Sequence, residues 1–198
     1  MNITRYSEFR NFVALGDRAQ AAKSVEQFID SFEDEAERSE WVREFLEGGD
    51  YGHKIRHEIY RDLIFPELYI GYQSNDPWSL YFLAHTIQNV FDVRELHERL
   101  DRATDYSLLS SCFCIAPDFR DVRVQLLDRV CRGLDFAIHE WPAGLCCDID
   151  DVESELRLAR ALDSESRLVR MFEEVEAIVA EARERTRNSQ DAKNGAAR

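Results

Sequence analysis

The sequence predicts an all-α protein, either an irregular helical bundle or a short α-solenoid of about eight to nine helices. Three observations support this fold class. Apolar residues recur at three- and four-residue steps along most of the chain, which is the period of one helix face. The 198 residues include only 8 Gly and 4 Pro, too few for a protein rich in strands and turns. Those breakers stand mostly between the amphipathic segments, where helices begin and end.

Amphipathic segments follow one another along the chain. In the N-terminal half they cover residues 7–16, 17–32, 33–47 and 51–72. Pro66 is expected to kink or restart the last of these, because proline lacks the amide hydrogen that a helix interior needs. In the C-terminal half they cover residues 78–91, 92–100, 104–116, 119–139, 150–162 and 164–185. Trp141-Pro142 breaks the chain between two of the longer helices.

Two joints between helices look alike. Asn75-Asp76-Pro77 precedes one aromatic-rich helix and Ala116-Pro117-Asp118 precedes another, with the prolines 40 positions apart. This spacing is close to the period of helical-repeat arrays. The segments GYQSNDPWSLYFLAHTIQNVF and CFCIAPDFRDVRVQLLDRVC resemble the helix–turn–helix units of tetratricopeptide-type solenoids. The resemblance covers roughly residues 51–141 and implies a repeat array, while an irregular bundle with prolines at these joints remains the alternative.

The domain organisation and compartment also follow from the sequence. Residues 1–185 are predicted to form a single helical domain, and residues 186–198, which have no apolar face, a disordered tail. The first residues lack a secretory signal, and no run of 18 apolar residues is present for a membrane span. Five cysteines, an odd number, favour reduced thiols over a disulfide framework. We therefore expect a cytoplasmic protein that does not engage a membrane.

The chain is strongly acidic, with 39 acidic and 25 basic residues and a formal net charge of −14. Because affinity for phosphates needs a positive surface, this charge argues against direct binding of nucleic acid. The acids form two clusters, with seven acids and one base in residues 26–40 and five acids and no base in residues 146–155. Such a charge pattern increases solubility. It also favours binding of a positively charged partner, which would relieve the repulsion between the clustered acidic side chains.

In size, acidity and helical make-up the chain resembles bacterial immunity proteins of contact-dependent inhibition and related toxin systems. The resemblance rests on composition and implies an acidic cytoplasmic protein that binds and neutralises a basic, nuclease-like toxin domain. Steering by opposite charge would speed that association. The residues expected to contact the partner are acids of the two clusters and one aromatic anchor: Glu33, Asp34, Glu35, Glu37, Trp141, Asp148, Asp150 and Asp151.

The alternative function is a helical-repeat scaffold that binds a peptide or protein in an apolar groove. The groove would use aromatic side chains: Tyr69, Tyr72, Trp78, Tyr81 and Phe82. Salt distinguishes the two hypotheses, because ionic strength screens an association driven by charge and has little effect on an apolar groove.

Five histidines and five cysteines of this chain could ligate a metal or act as catalytic groups. His53 and His57 share a helix face at the spacing of metal-binding pairs, but a third ligand would have to come from His85, His97 or His139. The cysteines match no zinc-ribbon spacing, and Cys112 and Cys114 point about 200 degrees apart on a helix. Structural cysteines are expected, with Cys146 and Cys147 more exposed in the loop after Pro142.

His139, Glu140 and Trp141 stand together at the end of the longest predicted helix, as a binding corner or as an ordinary helix end. The sequence contains no glycine-rich phosphate loop and no Gly-x-Ser-x-Gly elbow. The prediction is therefore a binding protein and not an enzyme, with no catalytic residues, cofactor or metal.

Overall fold

The computed structural model describes the backbone of residues 1–49 and 55–196, and side chains in these ranges as far as residue 188. Every regular element in the described ranges is helical, which confirms the all-α fold class. The α-helices are α1 (Ile3–Leu15), α2 (Arg18–Ile29), α3 (Glu35–Gly48), α4 (His57–Ile59), α5 (Phe65–Gln73), α6 (Pro77–His85), α7 (Ile87–Phe91), α8 (Arg94–Arg99), α9 (Asp105–Ile115), α10 (Arg120–Ile138), α11 (Ile149–Leu162) and α12 (Val169–Ala196).

The number of helices in the described ranges is somewhat above the predicted eight to nine because two predicted helices are interrupted. The segment predicted over 78–91 breaks at Thr86, whose hydroxyl donates to Phe82 O at 2.7 Å while its backbone leaves the helical region. The segment that contains Pro66 passes through a π-helical turn, Tyr60–Ile64, directly before α5. Proline removes one backbone donor from the ladder here, and a wider turn is a common local adjustment to such a loss.

The chain divides into two compact units, Met1–Ala116 and Pro117–Arg198. The boundary falls at the Pro117-Asp118 joint. The last helix, α12, runs to Ala196 and so includes most of the segment predicted as a tail. Extending a helix that is already formed costs far less than nucleating one, and this segment contains the good helix formers Ala, Arg, Gln and Lys.

Aromatic side chains join the first three helices of the N-terminal unit. Phe28 on α2 is fully buried, and its ring centroid lies 5.2 Å from that of Tyr6 on α1 and 5.1 Å from that of Trp41 on α3. Phe45 stacks on Trp41 at 4.8 Å, one helical turn further along α3. Phe32 completes this group, which we call the aromatic core. Packed ring pairs of this kind add stability beyond the area they bury.

Buried polar groups hold the middle of the N-terminal unit. Asn89 on α7 donates from its side-chain amide to Ile55 O at 2.7 Å, and Tyr60 and Thr86 share a hydrogen bond of 3.0 Å between their hydroxyls. Burial raises the pKa of the Tyr60 phenol far above its usual range. Nearby, α5 and α6 approach so closely at Gly71 that a Cβ atom there would lie 1.9 Å from Ser79 Oγ.

The C-terminal unit is built from α10, α11 and α12. Each helix buries apolar residues at three- and four-residue steps, as on an amphipathic face: Val122, Leu126, Val130 and Leu134 on α10, Val152, Leu156 and Ala159 on α11, and Phe172, Val175 and Val179 on α12. The buried Asp163 carboxylate accepts hydrogen bonds from Arg167 N at 3.1 Å and Leu168 N at 2.8 Å. Because this turn uses those amides, α12 begins at Val169 rather than at the predicted Ser164.

Candidate functional site

The first acidic cluster lies at the N-terminal end of α3. Asp34 is the N-cap residue in an extended conformation, and its carboxylate accepts from Glu37 N at 2.8 Å. Glu37 reaches back to accept from Glu33 N at 3.0 Å and also pairs with the N-terminal amine of Met1. The hydrogen bond from that amine, with help from Glu33 N, lowers the pKa of Glu37. Two of the four predicted contact residues here therefore stabilise the helix start.

Replacing Asp34 by alanine should lower the free energy of unfolding by about 1 kcal/mol, because the Glu37 amide loses its capping partner. The matched control is Glu35→Ala one position later, where the side chain is 92% exposed and lies 3.7 Å from Arg38. That change should cost no more than a few tenths of a kcal/mol. Urea denaturation followed by circular dichroism measures both, and equal losses would contradict the capping role of Asp34.

The second acidic cluster lines a cleft in the C-terminal unit. The cleft has a volume of about 940 Å³ and is formed by the loop before α11, the first turn of α11 and residues 182–187 of α12. Four of the predicted contact residues line it together: Trp141, Asp148, Asp150 and Asp151. The lining also includes three basic residues of α12, Arg183, Arg185 and Arg187. The cleft therefore combines carboxylates, guanidinium groups and an indole in one lining.

Trp141 is half-buried at one edge of the cleft. The Arg185 guanidinium lies 4.5 Å from the centre of its ring, a cation–π arrangement. Arg185 also donates to Pro142 O at 2.9 Å and pairs with Glu181 at 2.7 Å. These contacts hold α12 against the loop that carries Trp141. The indole is thus fixed in place before any ligand binds.

The three aspartates of the cleft differ in how far they are already neutralised. Asp150 pairs with Arg183 at 2.8 Å, and Arg183 also binds Glu153 at 2.8 Å. Asp148 is the N-cap residue of α11 but makes no side-chain capping bond. Asp148 and Asp151 are exposed and form no ion pair with any described side chain. Their negative charge is therefore directed to solvent at the edge of the cleft.

The aromatic residues of the alternative groove are largely occupied inside the N-terminal unit. Tyr69 lies under the Arg99 guanidinium at 4.1 Å, and the Tyr72 hydroxyl donates to Leu100 O at 3.3 Å. Trp78 donates from Nε1 to Glu47 at 3.0 Å and has Arg43 over its ring at 4.3 Å. Phe82 is buried, and Tyr81 is half-buried and packs edge-on against it at 5.0 Å.

The candidate metal ligands are dispersed in the described parts of the chain. His53 lies outside the described residues, and His57 is exposed at the start of α4. No group of three or more His, Cys, Asp or Glu side chains with metal-binding geometry occurs among the described residues. Cys112 is buried, and burial, together with the nearby Asp76 carboxylate, raises the pKa of its thiol to about 11.

Two exposed cysteines, Cys146 and Cys147, lie in the loop after Pro142, as the sequence indicated. The structure adds a contact that sequence reasoning missed, since Cys146 Sγ lies 3.6 Å from His139 Nδ1. His139 Nε2 in turn binds Glu140 at 2.7 Å. The only sequence signal for this group was the presence of a histidine and a cysteine at the two ends of one short loop.

Comparison with known proteins gives no family for this chain: no family model, curated protein or solved structure matches it. Within the described residues, no helix is both long enough and apolar enough to cross a lipid bilayer. The class of protein defined by the fold is therefore an acidic, all-α protein with a charged cleft in its C-terminal unit.

Proposed function

We propose that the protein is a cytoplasmic immunity protein that binds a basic, nuclease-like toxin domain and neutralises it. The observation that supports this most directly is the cleft of the C-terminal unit, where Asp148 and Asp151 stand exposed and unpaired among the described side chains, near Trp141. Nucleases bind phosphates and therefore present basic surfaces. The carboxylates at the edge of the cleft are negatively charged, as the phosphates of a nucleic-acid substrate are. They can therefore bind the same basic surface.

The overall charge strengthens this proposal. A formal net charge of −14 produces a field that attracts a basic partner and raises the association rate. Trp141 adds an apolar contact to the carboxylates around the cleft. Tryptophan is enriched among the residues that contribute most to binding energy at protein interfaces. In the first cluster, Glu33 and Glu35 are exposed and remain our proposed partner contacts, whereas Asp34 and Glu37 chiefly serve the helix start.

The alternative, an apolar groove in a helical-repeat scaffold, has less support. Three of the five aromatic side chains on which it depends, Tyr69, Tyr72 and Trp78, bind guanidinium, carbonyl or carboxylate groups of the same unit. Using them for a ligand would require those contacts to be replaced. The exposed carboxylates of Asp148 and Asp151 need no such rearrangement.

The test is a pull-down with the immobilised protein from the organism that encodes it, washed at low and high salt. A variant with Asp148→Lys and Asp151→Lys serves as the matched bait. We expect one basic protein that is retained at low salt, released as salt rises and absent from the variant bait. Expressed alone, that protein should arrest growth, and co-expression with the wild-type chain should restore it. A captured partner that resists salt, or binds both baits equally, would contradict the proposal.

A further inference from the structure

A thiol, an imidazole and a carboxylate form one chain of contacts at the carboxyl end of α10. Cys146 Sγ lies 3.6 Å from His139 Nδ1, and His139 Nε2 lies 2.7 Å from Glu140 Oε1. The backbone fixes this arrangement, because Cys146 N donates to Ala137 O at 2.9 Å and so ties the loop back onto the helix. All three side chains are exposed, so a small molecule in solution can reach the sulfur.

The hydrogen-bond partners define how the imidazole is protonated. Nε2 faces a carboxylate, which only accepts, so Nε2 carries a proton. In the neutral ring Nδ1 is then an acceptor positioned to take the proton of the Cys146 thiol. Nδ1 also lies 3.3 Å from Phe136 O, another acceptor. Once Nδ1 is protonated, both ring N–H groups face an acceptor, Phe136 O for Nδ1 and the Glu140 carboxylate for Nε2.

We propose that Cys146 is a nucleophilic thiol, activated by His139, that reacts with small-molecule disulfides to form a mixed disulfide. Glu140 is a positioning residue that fixes the tautomer and orientation of the ring. Nucleophile, base and orienting group in this order are the arrangement that activates thiols in proteins generally. The proposal concerns a modification site and is independent of toxin binding.

The reaction balances without any other reagent. The Sγ proton moves to His139 Nδ1, and the thiolate attacks one sulfur of the disulfide. A new S–S bond forms as the original one breaks, and the departing thiolate leaves with its electron pair. That thiolate takes the proton from Nδ1, which regenerates the neutral imidazole. The Cys146 sulfur is oxidised, the departing sulfur is reduced, and one small thiol is released.

The other cysteines provide internal controls within the same chain. Cys114 at the end of α9 is exposed like Cys146, and no described histidine contacts it. Cys147 shares the loop and the exposure of Cys146 but not its contact with His139. Cys112 is buried, with a raised pKa. If exposure alone determined reactivity, Cys114, Cys146 and Cys147 would react at similar rates.

The experiment is timed reaction of the reduced, full-length protein with oxidised glutathione at neutral pH, followed by mass spectrometry of the peptides. A free thiol is only a few per cent ionised at neutral pH, so a base that takes up its proton can raise the thiolate fraction more than tenfold, while the lower nucleophilicity of the more acidic thiol offsets most of that gain and leaves a rate increase of about threefold. We expect Cys146 to react about threefold faster than Cys114. The Cys147→Ser variant should keep this fast reaction and Cys146→Ser should lose it.

Substitutions of His139, which contacts Cys146, and of Glu140, which contacts His139, test the mechanism. His139→Gln should slow modification of Cys146 by about threefold and leave the Cys114 rate unchanged, and circular dichroism checks that the helices of the variant are intact. Glu140→Gln keeps an acceptor for Nε2 and should retain more of the rate than Glu140→Ala does. Equal rates at Cys146 and Cys114 in the wild-type chain, or an unchanged Cys146 rate in His139→Gln, would overturn the proposal. A wild-type rate in Glu140→Ala would overturn the role given to Glu140.

Discussion

Replacing Phe28 by alanine is expected to lower the free energy of unfolding of the N-terminal unit by about 3–5 kcal/mol. Phe28 is 0% exposed, and its ring packs against Tyr6, Phe32 and Trp41, whose ring centroids lie 5.1–5.2 Å away. The substitution removes buried apolar surface and leaves a cavity that α1, α2 and α3 all line. Since these helices are rigid, they can close only part of that space, and the lost ring contacts are not replaced.

Leu15→Ala is the matched control, because it also shortens a large apolar side chain but at a site that is 79% exposed. It should change the free energy of unfolding by no more than about 0.5 kcal/mol. Urea titration with tryptophan fluorescence measures both variants, since Trp41 lies in the aromatic core. The two units can unfold in separate steps, so the transition of the N-terminal unit, which contains Trp41, must be fitted by itself. A loss below about 1 kcal/mol for Phe28→Ala would contradict a rigid aromatic core.

The helices were predictable because their signals are local. The apolar period over residues 17–32 corresponds to α2 at Arg18–Ile29, and the Asn75-Asp76-Pro77 joint precedes α6, where the Asp76 carboxylate accepts from Ser79 N at 2.9 Å. Helix ends were less predictable, since the capping residue depends on competing side chains. At the start of α12 the buried Asp163, rather than Ser164, takes up the free amides.

The acidic residues of the candidate site could be found from sequence, but their roles could not. Spacing shows that Asp34 and Glu37 lie three apart, yet only the extended backbone of Asp34 makes them partners in a helix cap. The neutralisation of Asp150 depends on Arg183, which is 33 positions away on another helix. A loop has no regular period, so the contact between Cys146 and His139 could not be predicted from the sequence either.

Reversing the charge of Asp148 and Asp151 should slow association with the basic partner by about tenfold or more at low salt, if the proposed function is correct. These two carboxylates are exposed and make no ion pair with any described side chain, so no direct partner neutralises their charge. Lysine at both positions would add positive charge to a cleft that already contains Arg183, Arg185 and Arg187. The cleft would then repel the basic partner that it attracts in the wild-type protein.

The control for this prediction is a variant with Glu173→Lys and Glu174→Lys, two exposed acids on α12 outside the lining of the cleft. Both variants change the net charge by the same amount, so any difference between them comes from the position of the charges. Surface plasmon resonance at several salt concentrations separates association from dissociation. The cleft variant should lose association rate far more than the control at low salt, and the gap should narrow as salt screens the field. Equal losses would show that net charge alone guides the partner and would remove the cleft from the proposed binding surface.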